Sequence, residues 1–353
     1  MVDERRPTVK ALVKYASGPG NVALRDVEEP DPDPNQVKVE VKAAGICGSD
    51  LHIYHDEIEI PIEPPVVMGH EFAGVVVECG EGVERIQVGD RVTCETSATI
   101  CGRCLQCRIG NYNMCTDRKV VGYAVDGCFA RYCVANERQV HILPDNIDFV
   151  AGALAEPLAC CVHAVTEMTP IFAGDVVVIT GPGAIGLLCL QLVKAAGGFA
   201  VVCGTSHDRE RLELAQELGA DTTLDVTSED LLAWLVAHTE TGGADVFLEC
   251  AGAPAAARLG LYATRRGGRY TQIGLFSGPF ELAFDIIAYK ELRVTGALGQ
   301  KWTSWRRALS LMSQEKVNTR VLVSHILPLS QWEEAFRVVE ERQGLKVVLQ
   351  PEG

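Results

Sequence analysis

The stretch Val176-Val177-Val178-Ile179-Thr180-Gly181-Pro182-Gly183-Ala184-Ile185-Gly186-Leu187-Leu188 decides the fold. Residues 175–180 form an apolar run of strand length, and residues 185–196 repeat with helical period. Between them, Gly181, Gly183 and Gly186 fit the spacing G-x-G-x-x-G. The chemistry behind that spacing is specific. The first glycine permits a tight turn, the second lets backbone approach a pyrophosphate, and the third lets helix pack on strand. The helix opening at Ala184 and Ile185 then offers its free N–H groups and partial positive charge to phosphate. Taken alone, this could be an ordinary glycine-rich turn between a strand and a helix.

The flanking sequence favours the dinucleotide reading. Residues 199–203, 221–224, 245–250 and 269–273 read as strands. Residues 208–218, stopped by Gly219, and residues 228–238 and 254–264 read as helices. Strands alternating with helices of this length specify a parallel, doubly wound sheet, with ligands at the carboxyl ends of its strands. Those ends place Thr180, Gly181, Ala251, Gly252, Ile273, Gly274, Leu275, Ala297, Leu298 and Gly299 along the cofactor. The second strand runs into Cys203-Gly204-Thr205-Ser206-His207-Asp208-Arg209, with no acid at 204–206. A carboxylate there would repel a 2′-phosphate, whereas Thr205, Ser206 and Arg209 would accept one. The preference is therefore NADP, by a small margin; NAD is the alternative if Asp208 reaches back to the ribose.

Upstream, to about residue 150, short Val/Ile-rich runs at 37–41, 73–79 and 90–94 alternate between turns at Gly80, Gly82 and Gly89. This is a β-rich module with few helices. Downstream of residue 300 come two helical runs, 303–313 and 330–341, and a strand at 346–350. Lys346 opens that strand, either touching cofactor phosphate or ribose or standing in solvent. The chain divides into 1–156 with 300–353, and 157–299.

Composition narrows the function. The 353 residues are 47% hydrophobic and 22% charged, enough for two cored domains. The net charge of -15 and scattered basic residues exclude nucleic acid as the main partner. No apolar run reaches the roughly 18 residues of a membrane span, and residues 1–10 lack a signal region, so a cytoplasmic protein is expected. Fourteen cysteines in such a compartment point to metal rather than disulfides, and five of them fall between Cys94 and Cys115.

Cys101, Cys104, Cys107 and Cys115 are spaced C-x2-C-x2-C-x7-C within a lobe at about 94–116, with Cys94 a bystander. Four thiolates close a tetrahedral zinc and leave no open position, so this is a structural site; iron–sulfur ligation is the competing metal reading. A second set is dispersed: Cys47, His70, Glu71 and Glu156. One thiolate, one imidazole and one carboxylate would leave a coordination position for water or substrate, as a catalytic zinc needs.

Five features stand in the order of the zinc-containing medium-chain dehydrogenase/reductase family. They are the Cys47 motif, Gly69-His70-Glu71, the four-cysteine lobe, Glu156 and the GPGAIG turn. With Gly89-Asp90-Arg91-Val92 they make the chain resemble that family over nearly its whole length, and most of all the sorbitol (polyol) and threonine dehydrogenase branch. The resemblance implies a GroES-like β catalytic domain with an inserted Rossmann domain, assembled as dimer or tetramer. It also implies zinc ligation by Cys47 and His70 with either Glu71 or Glu156, and Asp50 orienting His70. Two zinc ions per chain would result, one catalytic and one structural. Ser49 and His52 resemble the family's proton relay, with His52 as outer base. The implied reaction moves hydride from a secondary alcohol, polyol- or diol-like, to NAD(P), giving a ketone.

The Arg-Tyr pair that grips the polyol in sorbitol dehydrogenases is missing from Gly296-Ala297-Leu298-Gly299-Gln300, so sorbitol itself is not implied. A threonine-type amino- or hydroxy-acid 3-dehydrogenase is the alternative, and a non-catalytic zinc scaffold the distant one. Arg118, Lys119 and Lys301 are the candidates for a phosphate on the substrate.

Overall fold

The computed structural model describes residues 7–57 and 60–352. Two compact units emerge. The first comprises Met1–Pro157, Gln300–Ser313 and Asn318–Gly353, and the second Leu158–Gly299 with Gln314–Val317.

Among the described residues, the first unit is built on a seven-stranded sheet. Its spine is Gln36–Gly45, which pairs antiparallel with Glu71–Cys79, Tyr132–Asn136 and Lys346–Gln350. Val37, Val39 and Val41 alternate inward and are almost wholly buried, as a period-two strand requires. Each buries enough apolar surface to contribute about 1.5–3 kcal/mol. The helix Trp332–Glu340 covers the sheet with Trp332, Ala335, Phe336 and Val338, at the spacing of one helix face. A smaller sheet joins Val22–Glu28, Thr8–Lys14 and Val66–Val67. The cysteine lobe springs from the short pair Ser97–Thr99 and Lys119–Val120.

The second unit is the doubly wound sheet that the alternation predicts. Its strands run Thr222–Asp225, Phe199–Gly204, Val176–Thr180, Ala244–Glu249, Thr264–Gln272 and Arg293–Gly296 across the sheet, all parallel. The order turns back at Val176–Thr180, and the glycine turn lies at its carboxyl end. Helix Ala184–Ala195 is apolar nearly all round because eight of its residues are buried.

The few helices of the β-rich module include Gly48–His55 and Phe149–Ala153. Elsewhere two expectations need correction. The helix expected from residue 228 begins at Leu231, because the Asp230 carboxylate accepts from the Leu232 and Ala233 N–H groups and caps it there. Strands Arg293–Gly296 and Val323–Pro328 escaped notice, since half-exposed edge strands carry a diluted apolar pattern. No helix among the described residues is long and apolar enough to cross a membrane.

Candidate active site

Helix Gly48–His55 begins at Cys47, whose N–H donates to Asp50 Oδ2 at 2.9 Å. That cap fixes the thiol at the end of the sheet's spine. Strand Glu71–Cys79 starts one residue after His70, so imidazole and carboxylate arrive together from its entry. Cys47, His70 and Glu71 each present a ligand atom, all within 4.8 Å of one another.

Asp50 is fully buried, its Oδ1 3.6 Å from His70 Nδ1. Asp50 thus stands beside the imidazole it was expected to orient, beyond hydrogen-bond length, and Cys47 faces the same ring. Burial opposes a charge on His70, but Tyr123 and Asp50 outweigh it and hold the imidazole well above the usual histidine range. Two buried polar atoms, His70 Nδ1 and Asp50 Oδ1, have no hydrogen bond within normal length. A thiol, an imidazole and a carboxylate packed this closely are a poor arrangement for a metal-free core and a good donor set for zinc.

Glu71 is wholly buried and takes Lys346 Nζ on both oxygens, at 2.6 and 2.5 Å. Lys346 also donates to the Ile46 carbonyl at 3.0 Å. Lys346 is therefore not a solvated lysine: it is the buried counter-charge of Glu71. Burial works against its charge, yet Glu71 and Cys47 hold its ammonium above the ordinary lysine range.

Glu156 is buried, and its Oε1 accepts from Gln300 Nε2 at 3.2 Å. Gln300 Nε2 also reaches Thr96 Oγ1 at 2.8 Å. Burial pushes the Glu156 carboxyl up; His70 pulls it down and Glu71 pushes it further up. Glu156 thus feels the cluster without belonging to the three groups within ligand distance. Ser49 Oγ is shielded beside Tyr123, and one helical turn on, His52 is 53% exposed. Tyr123, Gln300 as the Glu156 partner, and Lys346 in its observed role were missed in the sequence. Distance along the chain hides all three.

In the lobe, the four sulfurs also lie within 4.8 Å of one another. Cys101 Sγ is 3.6 Å from Cys115 Sγ and 3.9 Å from Cys107 Sγ. A tetrahedron with Zn–S bonds of about 2.3 Å has edges of about 3.8 Å. Backbone N–H groups of Cys104, Cys107 and Cys101 donate to Cys101, Cys104 and Cys115 sulfurs. Backbone N–H groups of Arg103 and Cys104 lower Cys101 to about 6, whereas burial and the Cys104 thiol raise Cys107 to about 12. The donor set fits one zinc. Cys94 is buried elsewhere, against Cys133.

In the second unit, Gly181 has φ +78, and a Cβ there would lie 2.7 Å from Ala251 Cα. A Cβ on Gly186 would lie 2.1 Å from the Gly181 carbonyl oxygen, so the helix can pack only on glycine. At Gly183, the N-cap of the helix that starts with Ala184 and Ile185, a Cβ would meet open space. The Asp208 carboxylate turns to its own loop, accepting from Thr205 N–H at 3.0 Å and Thr205 Oγ1 at 2.8 Å. Ser206 opens that turn, and Arg209 is exposed and bonded to Glu213. Buried Glu249 accepts from Ala251 and Gly252 N–H at 3.0 and 3.1 Å, and from Gln272 Nε2. It thereby shapes two strand ends, 251–252 and 273–274; Ala297, Leu298 and exposed Leu275 lie at strand ends too. Of the basic candidates, Lys119 bonds Glu63 and Lys301 bonds Asn111.

Residues 33–145 match the alcohol dehydrogenase GroES-like domain, and residues 184–314 the zinc-binding dehydrogenase family. A sorbitol dehydrogenase of Halalkalibacterium halodurans is 44% identical, over 97% of this chain and 99% of its own. A D-arabitol-phosphate dehydrogenase of Enterococcus avium is 37% identical, over 97% of each. The crystal structure of a zinc-binding dehydrogenase from Sinorhizobium meliloti bound to NADP superposes with a TM-score of 0.88. Its identity is 34%, covering 98% of this chain and 100% of that one. With likeness of this extent joined to two such donor sets and a dinucleotide turn, the chain belongs to the zinc-dependent medium-chain dehydrogenase/reductase family and is an alcohol dehydrogenase that works with a nicotinamide dinucleotide.

Proposed function

We propose that the enzyme oxidises a secondary hydroxyl of a polyol or diol to a ketone, with two zinc ions per chain. Cys47, His70 and Glu71 hold the catalytic ion, and Cys101, Cys104, Cys107 and Cys115 the structural one. The observation that carries this reading is the convergence of Cys47, His70 and Glu71 within 4.8 Å. When bound, a zinc ion with an open position acts as a Lewis acid that lowers the pKa of an alcohol, and the nicotinamide ring accepts hydride.

The protein's own groups supply the rest. Lys346 offsets the negative charge of Glu71, so the site does not carry two unpaired anions. Glu156, fixed by Gln300, is the carboxylate that orients the alcohol hydroxyl. Ser49 takes the released proton from the shielded interior and the exposed imidazole of His52 passes it to solvent. Gln300 and Thr96 add polar groups beside Glu156, which suits a substrate with more than one hydroxyl. The named activities of the two relatives support the polyol class.

NADP is favoured over NAD. No acid stands at 204–206, Asp208 is occupied by Thr205, and Ser206 with the exposed Arg209, which would exchange Glu213 for the ligand, would read a 2′-phosphate beside Thr205. Gly181, Gly183, Ala184, Ile185 and Gly186 would hold the pyrophosphate. Ala251, Ile273, Gly274, Leu275, Ala297 and Leu298 would line the remainder. We read the enzyme as a cytoplasmic homo-oligomer, dimer or tetramer; all fourteen of its cysteines are unbridged.

The test is turnover of sorbitol, xylitol, 2,3-butanediol and threonine with NAD and with NADP, followed as reduced cofactor at 340 nm. Oxidation of the polyols or the diol, better with NADP, is expected. Threonine as the sole substrate would replace the polyol reading. Zinc-replete protein idle toward every alcohol would end it.

A further inference from the structure

Between two of the lobe's cysteines, Cys107 and Cys115, the turn Tyr112–Met114 points a phenol back toward the body of the first unit. The Tyr112 hydroxyl donates to Glu95 Oε2 and accepts from the Trp302 backbone N–H, both at 2.5 Å. Its neighbour Asn111 accepts from Lys301 Nζ at 2.9 Å. The next residue back along the chain is Gln300, fully buried, which holds Glu156 and Thr96. Residues 300–302 therefore touch the lobe through Lys301 and Trp302, and the alcohol site through Gln300.

The Glu95 end of this bridge is tied into the body of the unit by further contacts. Glu95 is clamped by His141 Nε2 at 2.9 Å, and Gln139 Nε2 donates to its carbonyl at 3.0 Å. His141 in turn stacks on buried Trp305, with ring centres 5.1 Å apart and planes 4° from parallel. The Tyr112 phenol gives its proton to a buried carboxylate and its lone pair to the turn that places Gln300. A shift of that turn moves the amide on which Glu156 rests.

We propose that Tyr112 is a positioning residue for the alcohol site: by holding the Trp302 amide it fixes the 300–302 turn, and through Gln300 it fixes the Glu156 carboxylate. The four-cysteine lobe thus contributes to turnover as well as to stability. This rests on the assignment of Glu156 to the alcohol site.

The test is Tyr112→Phe, which removes the hydroxyl and keeps the ring. Hydrogen–deuterium exchange of the peptide spanning 300–305 should accelerate, with zinc content unchanged. The alcohol kcat/KM should fall about tenfold, the scale of one lost hydrogen bond, while the dinucleotide KM stays where it was. In a double-mutant cycle with Gln300→Leu, the two losses should not multiply, because both act on one carboxylate. Asn111→Ala, a milder release of the same turn, should move exchange and kcat/KM in the same direction and stands in if Tyr112→Phe does not fold. Unchanged exchange at 300–305, or losses that multiply, would overturn the proposal. If the wild-type protein oxidised no alcohol, the assignment of Glu156 would fail instead, and the exchange data would still decide whether Tyr112 holds the turn.

Discussion

Lys346→Met tests the energetics of the site most directly. The ammonium is buried against a carboxylate with no exposure at all, and it is bonded to both oxygens. Methionine keeps the length and apolar stem but leaves Glu71 as an uncompensated buried charge. Removing one partner of a buried pair costs about 3–5 kcal/mol. In a domain of this size, 1 kcal/mol moves Tm by about 2–4 °C, so the variant should melt about 6–20 °C lower. The loss should be largest in chelator-treated protein, because a zinc ion beside Glu71 restores positive charge. The double variant Lys346→Met/Glu71→Gln should recover much of the loss, since neither charge is then buried. Differential scanning calorimetry of the three proteins, with and without zinc, reads all of this. An unchanged Tm for the single variant in chelator, or a double variant no more stable than the single, would refute the pairing argument.

Other outcomes follow from the same site. Cys47→Ser should abolish turnover and lower zinc by about one ion per chain while leaving the fold intact, as read by atomic emission and circular dichroism. Cys104→Ser should also lose about one zinc but should chiefly lower Tm, because a closed thiolate site contributes folding energy. Ser206→Asp should weaken NADPH binding far more than NADH binding in a fluorescence titration; equal effects would remove the cofactor preference. His52→Asn should lower turnover about 10²-fold with the alcohol KM little changed, and added imidazole should restore part of it.

The sequence made some of this legible because the chemistry was local. The turn from Gly181 to Gly186 and the cluster from Cys101 to Cys115 each lie within a short stretch, so spacing alone carries geometry. Cys47, His70 and Glu71 were readable because each stands in its own short motif, although their meeting depends on the sheet. The unread parts are long-range pairs. Lys346 lies 275 residues from Glu71, and Gln300 lies 144 from Glu156. A lysine at a strand start and a glutamine before a helix carry no signature of burial, so only the tertiary fold could assign them. Asp208 was open between ribose and loop, and its bonds to Thr205 come from a turn geometry that sequence does not specify.

The strand Lys346–Gln350 lies between Val323–Pro328 and Gln36–Gly45, and it delivers the cation that balances Glu71. Nascent chains grow from the amino end, and domains fold as units while synthesis proceeds. The doubly wound unit can therefore mature on the ribosome while the zinc pocket still waits for its lysine. Glu71 stays without its cation until residue 346 has emerged, so a product terminated ahead of that residue would carry a finished nucleotide fold beside an electrostatically open metal pocket.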